Sequence, residues 1–243
     1  MLRRAVVAAL LLSIAAFHAE AGADVCIAFG ESLDPYVMDN ASRGIEVDII
    51  RAAFQARGIR IHTASFSQPR LPAALDKKDI DAVATLGSQS GVKAFFSEVY
   101  IAYEDEAITL SERHLVLKNP HDMEHLNVLA FSHARSYLGP AFADMASHNP
   151  HYGETADQLD QARMLYRGLV DVVIADRYIF RLMSDKQAET FKEKVLPVDE
   201  HHLFPPTTYQ LACRTAQLCD TFNQGLNIIR ENGKYQQIID QYR

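Results

Sequence analysis

"GLVDVVIADRYIF", residues 168–180, opens on a glycine, runs through a short apolar segment and stops abruptly on Asp176 and Arg177. An earlier stretch, "DKKDIDAVATLGS" at 76–88, has the same shape: a polar turn, an aspartate, a short β-branched run, then small polar residues. Aligned on Asp81 and Asp171, "IDAVAT" and "VDVVIA" read as one device used twice. Both runs are rich in Val, Ile and Ala without strict alternation, which suits parallel strands covered on both faces.

Outward from these two strands, the pattern alternates strand and helix. "DVCIAFG" reads as a strand, "GIEVDIIRAAFQARG" as an amphipathic helix closed by Gly58, "IRIHTASF" as a strand, "PRLPAALDKK" as a short helix and "DIDAVATL" as the next strand. This order predicts a parallel sheet with helices on both faces. After "VYIAYEDEAITLS", read as a single connecting strand, the grammar restarts. "LNVLAFS" is a strand, "ARSYLGPAFADMAS" and "ETADQLDQARMLYRG" are helices, and "LVDVVIA" is a strand followed by the helical "DRYIFRLMSDKQAETF". The tail adds a strand, "TTYQLACR", then a long helix, a turn at Asn232-Gly233 and a terminal helix that returns to the first unit.

The first 23 residues stand apart from this grammar. Arg3 and Arg4, an apolar core from Ala5 to Phe17 and Ala-x-Ala triplets at 19–21 and 21–23 form the pattern of a cleavable secretory signal peptide. The apolar run is short for a bilayer span. The reading is therefore an exported, free periplasmic protein. Its 48% apolar and 23% charged residues are those of an ordinary globular chain, and a net charge of −7 argues against a nucleic-acid partner, which would want a basic face. Export permits disulfides. Cys213 and Cys219, close in sequence, one ending an apolar segment and the other opening a helical pattern, are expected to pair, and Cys26 in "VCIAF" reads as a core thiol.

At this point the chain resembles bacterial periplasmic solute-binding proteins of the amino-acid-transport type, the extracellular family 3 class. "RGIEVDIIRAAF" is similar to that family's glycine-hydrophobe-acid-hydrophobe-Asp helix, "DIDAVATL" to its Gly-x-Ile-Asp-Ala strand and "FFSEVYIAY" to its Asp-Phe-Ser-x-Pro-Tyr segment. "YRGLVDVVIADRYIF" resembles the second-lobe strand, and "FNQGLNIIRENGKYQQIIDQY" the terminal helix pair. Each motif alone is weak, but five occur in the family's order. The resemblance implies a two-lobed α/β fold of the periplasmic-binding-protein type 2 class. Lobe one would comprise 24–113 with 204–243, lobe two 114–203, and a small polar solute would be trapped in the cleft by hinge closure. It also implies a monomer that delivers solute to a membrane ABC permease or a sensor, with no cofactor and no catalysis.

The resemblance further implies a set of ligand-binding residues. Asp176 emerges from the carboxyl end of its strand, where ligands of open α/β sheets bind; an aspartate there accepts a ligand ammonium in amino-acid binders, and it is equally suited to cap the following helix. Ser132 matches a Ser or Thr at the start of a second-lobe helix, a carboxylate-binding place that a plain N-cap would also occupy. Arg135 could grip an anion or be a solvated surface charge. Tyr36 in "LDPYVM" matches an aromatic that packs on the ligand, with core packing as the rival, and Arg70 in "FSQPRLPAAL" follows a proline turn near the cleft. Ser88 follows the first lobe's strand. One departure stands out. Amino-acid binders place an arginine after this strand to hold the α-carboxylate, and "LGSQSGVKAFFSEVY" has none. Counting forward puts Lys93 in its place, counting back puts Ser90 there, and a lysine is a point charge rather than a planar fork. A standard α-amino acid is therefore a poor expectation for the ligand.

His121 and His125 at helical spacing, and adjacent His201 and His202, lack a carboxylate or cysteine partner at ligand spacing, so no metal is expected. The sequence has no Gly-x-Ser-x-Gly elbow, His-Glu-x-x-His helix or phosphate loop. The alternative function is a dehydratase-like periplasmic enzyme of the same fold, using a cleft acid such as Asp176 as general base.

Overall fold

The computed structural model describes residues 24–242, so the signal-peptide reading of residues 1–23 lies outside the described residues. The chain builds two five-stranded sheets, each flanked by helices. The first contains β1 (Val25–Gly30), β2 (Ile61–Phe66), β3 (Ala82–Leu86), β4 (Phe95–Tyr103) and, from the tail, β10 (Thr207–Cys213), in the order β2-β1-β3-β10-β4. The second contains β5 (Asp105–Leu110), β6 (Val128–Phe131), β7 (Tyr152–Thr155), β8 (Val172–Asp176) and β9 (Val198–His201), in the order β7-β6-β8-β5-β9. In each sheet the three strands of the α/β unit run parallel, and the added strands run antiparallel to them or to each other.

The two aspartates that open the apolar runs do the same job in both sheets. Asp81 exchanges backbone hydrogen bonds with Cys26 at the start of β1: its N–H donates to the Cys26 carbonyl and its carboxylate accepts the Cys26 N–H, both at 2.9 Å. Asp171 donates its N–H to the Asn127 carbonyl at 2.8 Å and accepts the Asn127 N–H at 2.9 Å, just before β6. Each acid thereby locks the register of its strand against the first strand of its unit.

The helices are α1 (Ile45–Gln55), α2 (Ala134–Tyr137), α3 (Pro140–His148), α4 (Gln158–Tyr166), α5 (Arg177–Phe191), α6 (Ala216–Glu231) and α7 (Lys234–Asp240). In α1 the residues Ile45, Ile49, Ile50, Ala53 and Phe54 form one buried stripe against the first sheet and α6. The crossing with α6 is close: a Cβ added at Gly225 would lie 1.9 Å from the Ala53 carbonyl oxygen. The described tail, through Tyr242, returns to the first lobe. A Cys213–Cys219 disulfide ties β10 to α6, and the Tyr242 hydroxyl donates to Asp48 at 2.6 Å while accepting the Gly44 N–H at 3.1 Å. Cys26 is only half-buried, and burial with the nearby Asp81 and Asp79 raises its thiol pKa.

The structure differs from the sequence reading at several points. The single connecting strand is two: β4 ends in the first sheet, Glu104 intervenes, and β5 joins the second sheet. The crossing between sheets therefore falls at Glu104, not after Arg113, because an extended chain carries no mark of which sheet it will pair with. The expected helix over "PRLPAALDKK", 69–78, is a 3₁₀ stretch at Gln68–Asp76, since Pro69 and Pro72 remove backbone donors. "ARSYLGPAFADMAS" splits at Gly139, whose φ is 88°, with Pro140 opening α3. The unpredicted strands β7 and β9 are short, mostly half-buried edges of the second sheet, without the apolar run that marks a central strand.

Candidate functional site

A cleft of about 360 Å³ lies between the sheets, at the carboxyl ends of β3, β6 and β8, where α/β proteins place ligands. Its first-sheet wall presents Gln68, Thr85, Tyr103, Thr207 and Tyr209; the second presents Asp105, Phe131, Tyr137, Gln158 and Asp176.

The first wall is fixed from behind by a buried acid. Glu46, on the inner face of α1, is fully buried and accepts hydrogen bonds from the Tyr100 and Tyr103 hydroxyls and from Thr85 Oγ1, the last at 2.7 Å. Burial raises its pKa against the pull of these donors. Thr85 adopts φ 58°, a left-handed conformation that β-branched residues rarely take. Its N–H donates to the Tyr100 hydroxyl at 3.0 Å and its hydroxyl to Glu46, so the network holds Thr85 at the cleft in this conformation. Tyr103 in turn stacks on Tyr36, ring centroids 3.8 Å apart, and lies 4.8 Å from the Tyr209 ring.

Asp176 ends β8 and caps α5. Its Oδ1 accepts the Tyr178 and Ile179 N–H groups at 2.9 and 3.1 Å; its Oδ2 accepts the Tyr36 hydroxyl at 2.7 Å and the Glu104 N–H at 3.0 Å. Only 4% of Asp176 is exposed, and burial pushes its pKa up to about 6 despite these bonds. Directly across the strand pair stands Asp105, in register with Asp176. Residues so paired face the same side of a sheet, and both line the cleft. Burial, Asp176 and Glu106 together push the Asp105 pKa up to about 7. Unlike Asp176, Asp105 has no hydrogen-bond or ion-pair partner for its side chain among the described residues.

The predicted site residues scatter. Asp176 lines the cleft; Tyr36 is fully buried outside that lining, donates its hydroxyl to Asp176 and stacks on Tyr103. Arg70, Ser88 and Lys93 are exposed and outside the cleft lining, and the Ser88 N–H is taken by Gln210 at 3.2 Å. Ser132 is half-buried next to the lining residue Phe131. Arg135 turns to a neighbouring surface, donating to the Ala146 carbonyl at 3.0 Å and lying 5.3 Å over the Tyr152 ring. Sequence reasoning missed Asp105, although "YEDEAIT" does carry the signal, an acid directly after an aromatic at the strand crossing. Among the described residues, no three His, Cys, Asp or Glu side chains gather to hold a metal, and no helix is long and apolar enough to cross a membrane.

The family profile of bacterial extracellular solute-binding proteins, family 3, matches residues 25–243. The chain belongs to that family. It is thus a solute-binding protein, of a family of binders rather than enzymes, and the dehydratase reading falls away. No functionally curated protein matches this solute-binding protein in sequence. Among solved structures it is similar to an ancestral cationic amino acid solute-binding protein (TM-score 0.69, 14% identity, 90% of this chain and 95% of that one). It also resembles substrate-binding domain 2 of GlnP from Lactococcus lactis in its open conformation (TM-score 0.68, 18% identity, 90% and 94%). A histidine kinase sensor domain with similarity to periplasmic binding proteins is a third likeness (TM-score 0.61, 15% identity, 91% and 96%). At these identities the likenesses establish the fold, with its two lobes and intervening cleft.

Proposed function

We propose that this solute-binding protein is an exported, monomeric receptor that closes its two lobes on a small polar solute and presents the loaded form to a membrane ABC permease or a sensor. The observation that carries the reading is the cleft itself: about 360 Å³, walled by both sheets at their strand ends, with two chain crossings beside it. A volume of that order suits a metabolite rather than a peptide or nucleic acid. Asp176 is the predicted ligand-binding residue that this geometry supports, while Tyr36 stands behind it as a packing residue. The lobe division supported by the sheets is 24–103 with 207–242 for the first and 105–201 for the second. Similarity to substrate-binding domains of amino-acid transporters supports import, and similarity to a kinase sensor domain supports sensing. The pattern of residues 1–23 supports periplasmic delivery after cleavage.

Thermal-shift screening of the exported chain against a metabolite collection tests the reading. A ligand at 100 times its dissociation constant adds about 2.7 kcal/mol of stability. Stabilisation by a small solute that is recovered unchanged is the expected result; no stabilisation by any solute class, or conversion of the solute, would overturn it.

A further inference from the structure

Two sets of observations about the cleft point the same way. The first concerns cations. Asp105 and Asp176 face it side by side, and no Lys, Arg or His lines it among the described residues. Arg177, the cation nearest Asp176 in sequence, is paired with Glu104 at 2.7 Å and Glu200 at 3.5 Å and stacks on Tyr178. Asp105 keeps its carboxylate unpartnered beside the rings of Tyr103 and Tyr209, and aromatic faces attract cations.

The second concerns anions. At α2, α4 and α5 the helix-opening backbone amides of the second lobe, which could otherwise hold a carboxylate, are already filled by the protein's own acids. Glu154 accepts the His133 and Arg135 N–H groups at 2.7 and 3.1 Å around the start of α2, together with the Tyr152 hydroxyl at 2.7 Å. Asp157 accepts the Leu159 and Asp160 N–H groups that open α4, and Asp176 those that open α5. On the first lobe the Ser88 N–H is bonded to Gln210, and Arg70 and Lys93 stand outside the lining. A carboxylate entering this cleft would lose its water and meet like charge, with no cation in the lining among the described residues to receive it, which is costly.

We infer that the solute is a small organic cation without a carboxylate, its ammonium or guanidinium group received by Asp105 against the Tyr103 and Tyr209 rings. The inference rests on the solute-binding reading of the cleft and adds the chemical class of the ligand. Asp105 is its specificity-determining residue. Asp176, held by four hydrogen bonds, supplies negative field rather than the primary contact. Gln68, Thr85, Gln158 and Thr207 offer neutral polar groups for the rest of the molecule.

Matched pairs separate the classes. Agmatine and L-arginine share a guanidinium and differ by the α-carboxylate, as cadaverine and L-lysine do for the ammonium; succinate and L-glutamine complete the set. Calorimetry on the exported chain is expected to show at least one carboxylate-free amine binding tenfold or more tightly than its amino-acid partner. Asp105→Asn should weaken that amine about 30-fold or more, the effect of removing one partner of a desolvated charge pair, while melting curves show the variant folded. Equal or tighter binding of the amino acid, binding of succinate or glutamine instead, or an amine affinity unchanged in Asp105→Asn, overturns the cation inference and leaves the receptor reading standing. Absence of binding by every probe overturns the cation inference, and the receptor reading then stands or falls on the wider thermal-shift screen.

Discussion

At the scale of single residues, Asp105 makes the cleft sensitive to pH. The charged and titratable groups facing it are Asp176 on β8, Glu106 on its own strand and Tyr209 on β10, with burial the largest influence. With its pKa near 7, far above that of an exposed aspartate, the folded protein keeps a proton between about pH 4 and 7 that the unfolded chain has released. Folding stability therefore falls as pH rises through this window, and the penalty is complete above pH 7. Asp105→Asn removes it. The variant should melt on the order of 5 °C higher than the parent at pH 8 and about equally at pH 4, by parallel melting curves. Cation affinity has the opposite dependence, because only the ionised carboxylate attracts the ligand. It should drop by up to about tenfold per unit below pH 7 and level off above, and Asp105→Asn should flatten the profile.

Asp176 responds differently, because both its oxygens are engaged. Asparagine caps a helix about as well as aspartate, so the bonds to Tyr178 and Ile179 survive in Asp176→Asn. Its amide, however, replaces the oxygen that accepts both the Tyr36 hydroxyl and the Glu104 N–H, setting donor against donor at Glu104. A loss of about 1–3 kcal/mol is expected, the cost of an unsatisfied buried group. Tyr36→Phe should cost less, since it removes one partner and leaves the Glu104 bond intact. Denaturant titration of the two variants beside the parent tests the order; an Asp176→Asn as stable as the parent would show that Asp176 acts only as a cap.

At the scale of elements, the packing of α6 on α1 depends on one missing methyl group. Gly225 sits within α6 where a glycine costs helix stability, yet a Cβ there would strike the Ala53 backbone. Gly225→Ala gains propensity and loses the crossing; because the obstacle is backbone, net destabilisation of about 1–3 kcal/mol is expected, with ligand affinity unchanged. A melting temperature equal to or above the parent's would contradict the close crossing. The central strands, by contrast, were legible in the sequence because composition alone marks them: "AVATL" and "VVIA" must be buried, and Asp81 and Asp171 announce their starts. The edges β7 and β9 were not, since half-buried strands of mixed polarity look like loops. The site was legible only in part. Asp176 could be placed because it ends a recognisable strand, whereas Asp105 faces the cleft through its register with a partner on β8 that lies far along the chain. That Glu154 fills the amides of His133 and Arg135 depends on β6 and β7 lying side by side, which neither strand's composition specifies.

At the scale of the whole molecule, the two lobes are joined where β4 passes through Glu104 into β5 and where residues 202–206 lead from β9 to β10. Additional ties lie between the lobes: the Tyr36 hydroxyl on Asp176, and Lys186 on Asp34 at 3.1 Å. Tyr36 and the Glu104 N–H at the first crossing share Asp176 Oδ2, so the Tyr36 bond pins the lobes where a rotation moves them least. The cleft walls have no such fixed connection at Asp105, Tyr103 and Tyr209, where a bound solute would touch both lobes at once. Contacts made to both walls exist only in the closed arrangement, so the ligand binds that arrangement more tightly and draws the population toward it. Small-angle scattering of the exported chain should show a smaller radius of gyration at saturation with the solute identified by screening. Tyr36→Phe, with one tie removed, should keep this ligand-induced contraction, because the chain crossings and not the Tyr36 bond define the hinge. A radius unchanged by saturating ligand would count against closure, and contraction lost in Tyr36→Phe would move the hinge from the crossings to the Tyr36–Asp176 bond.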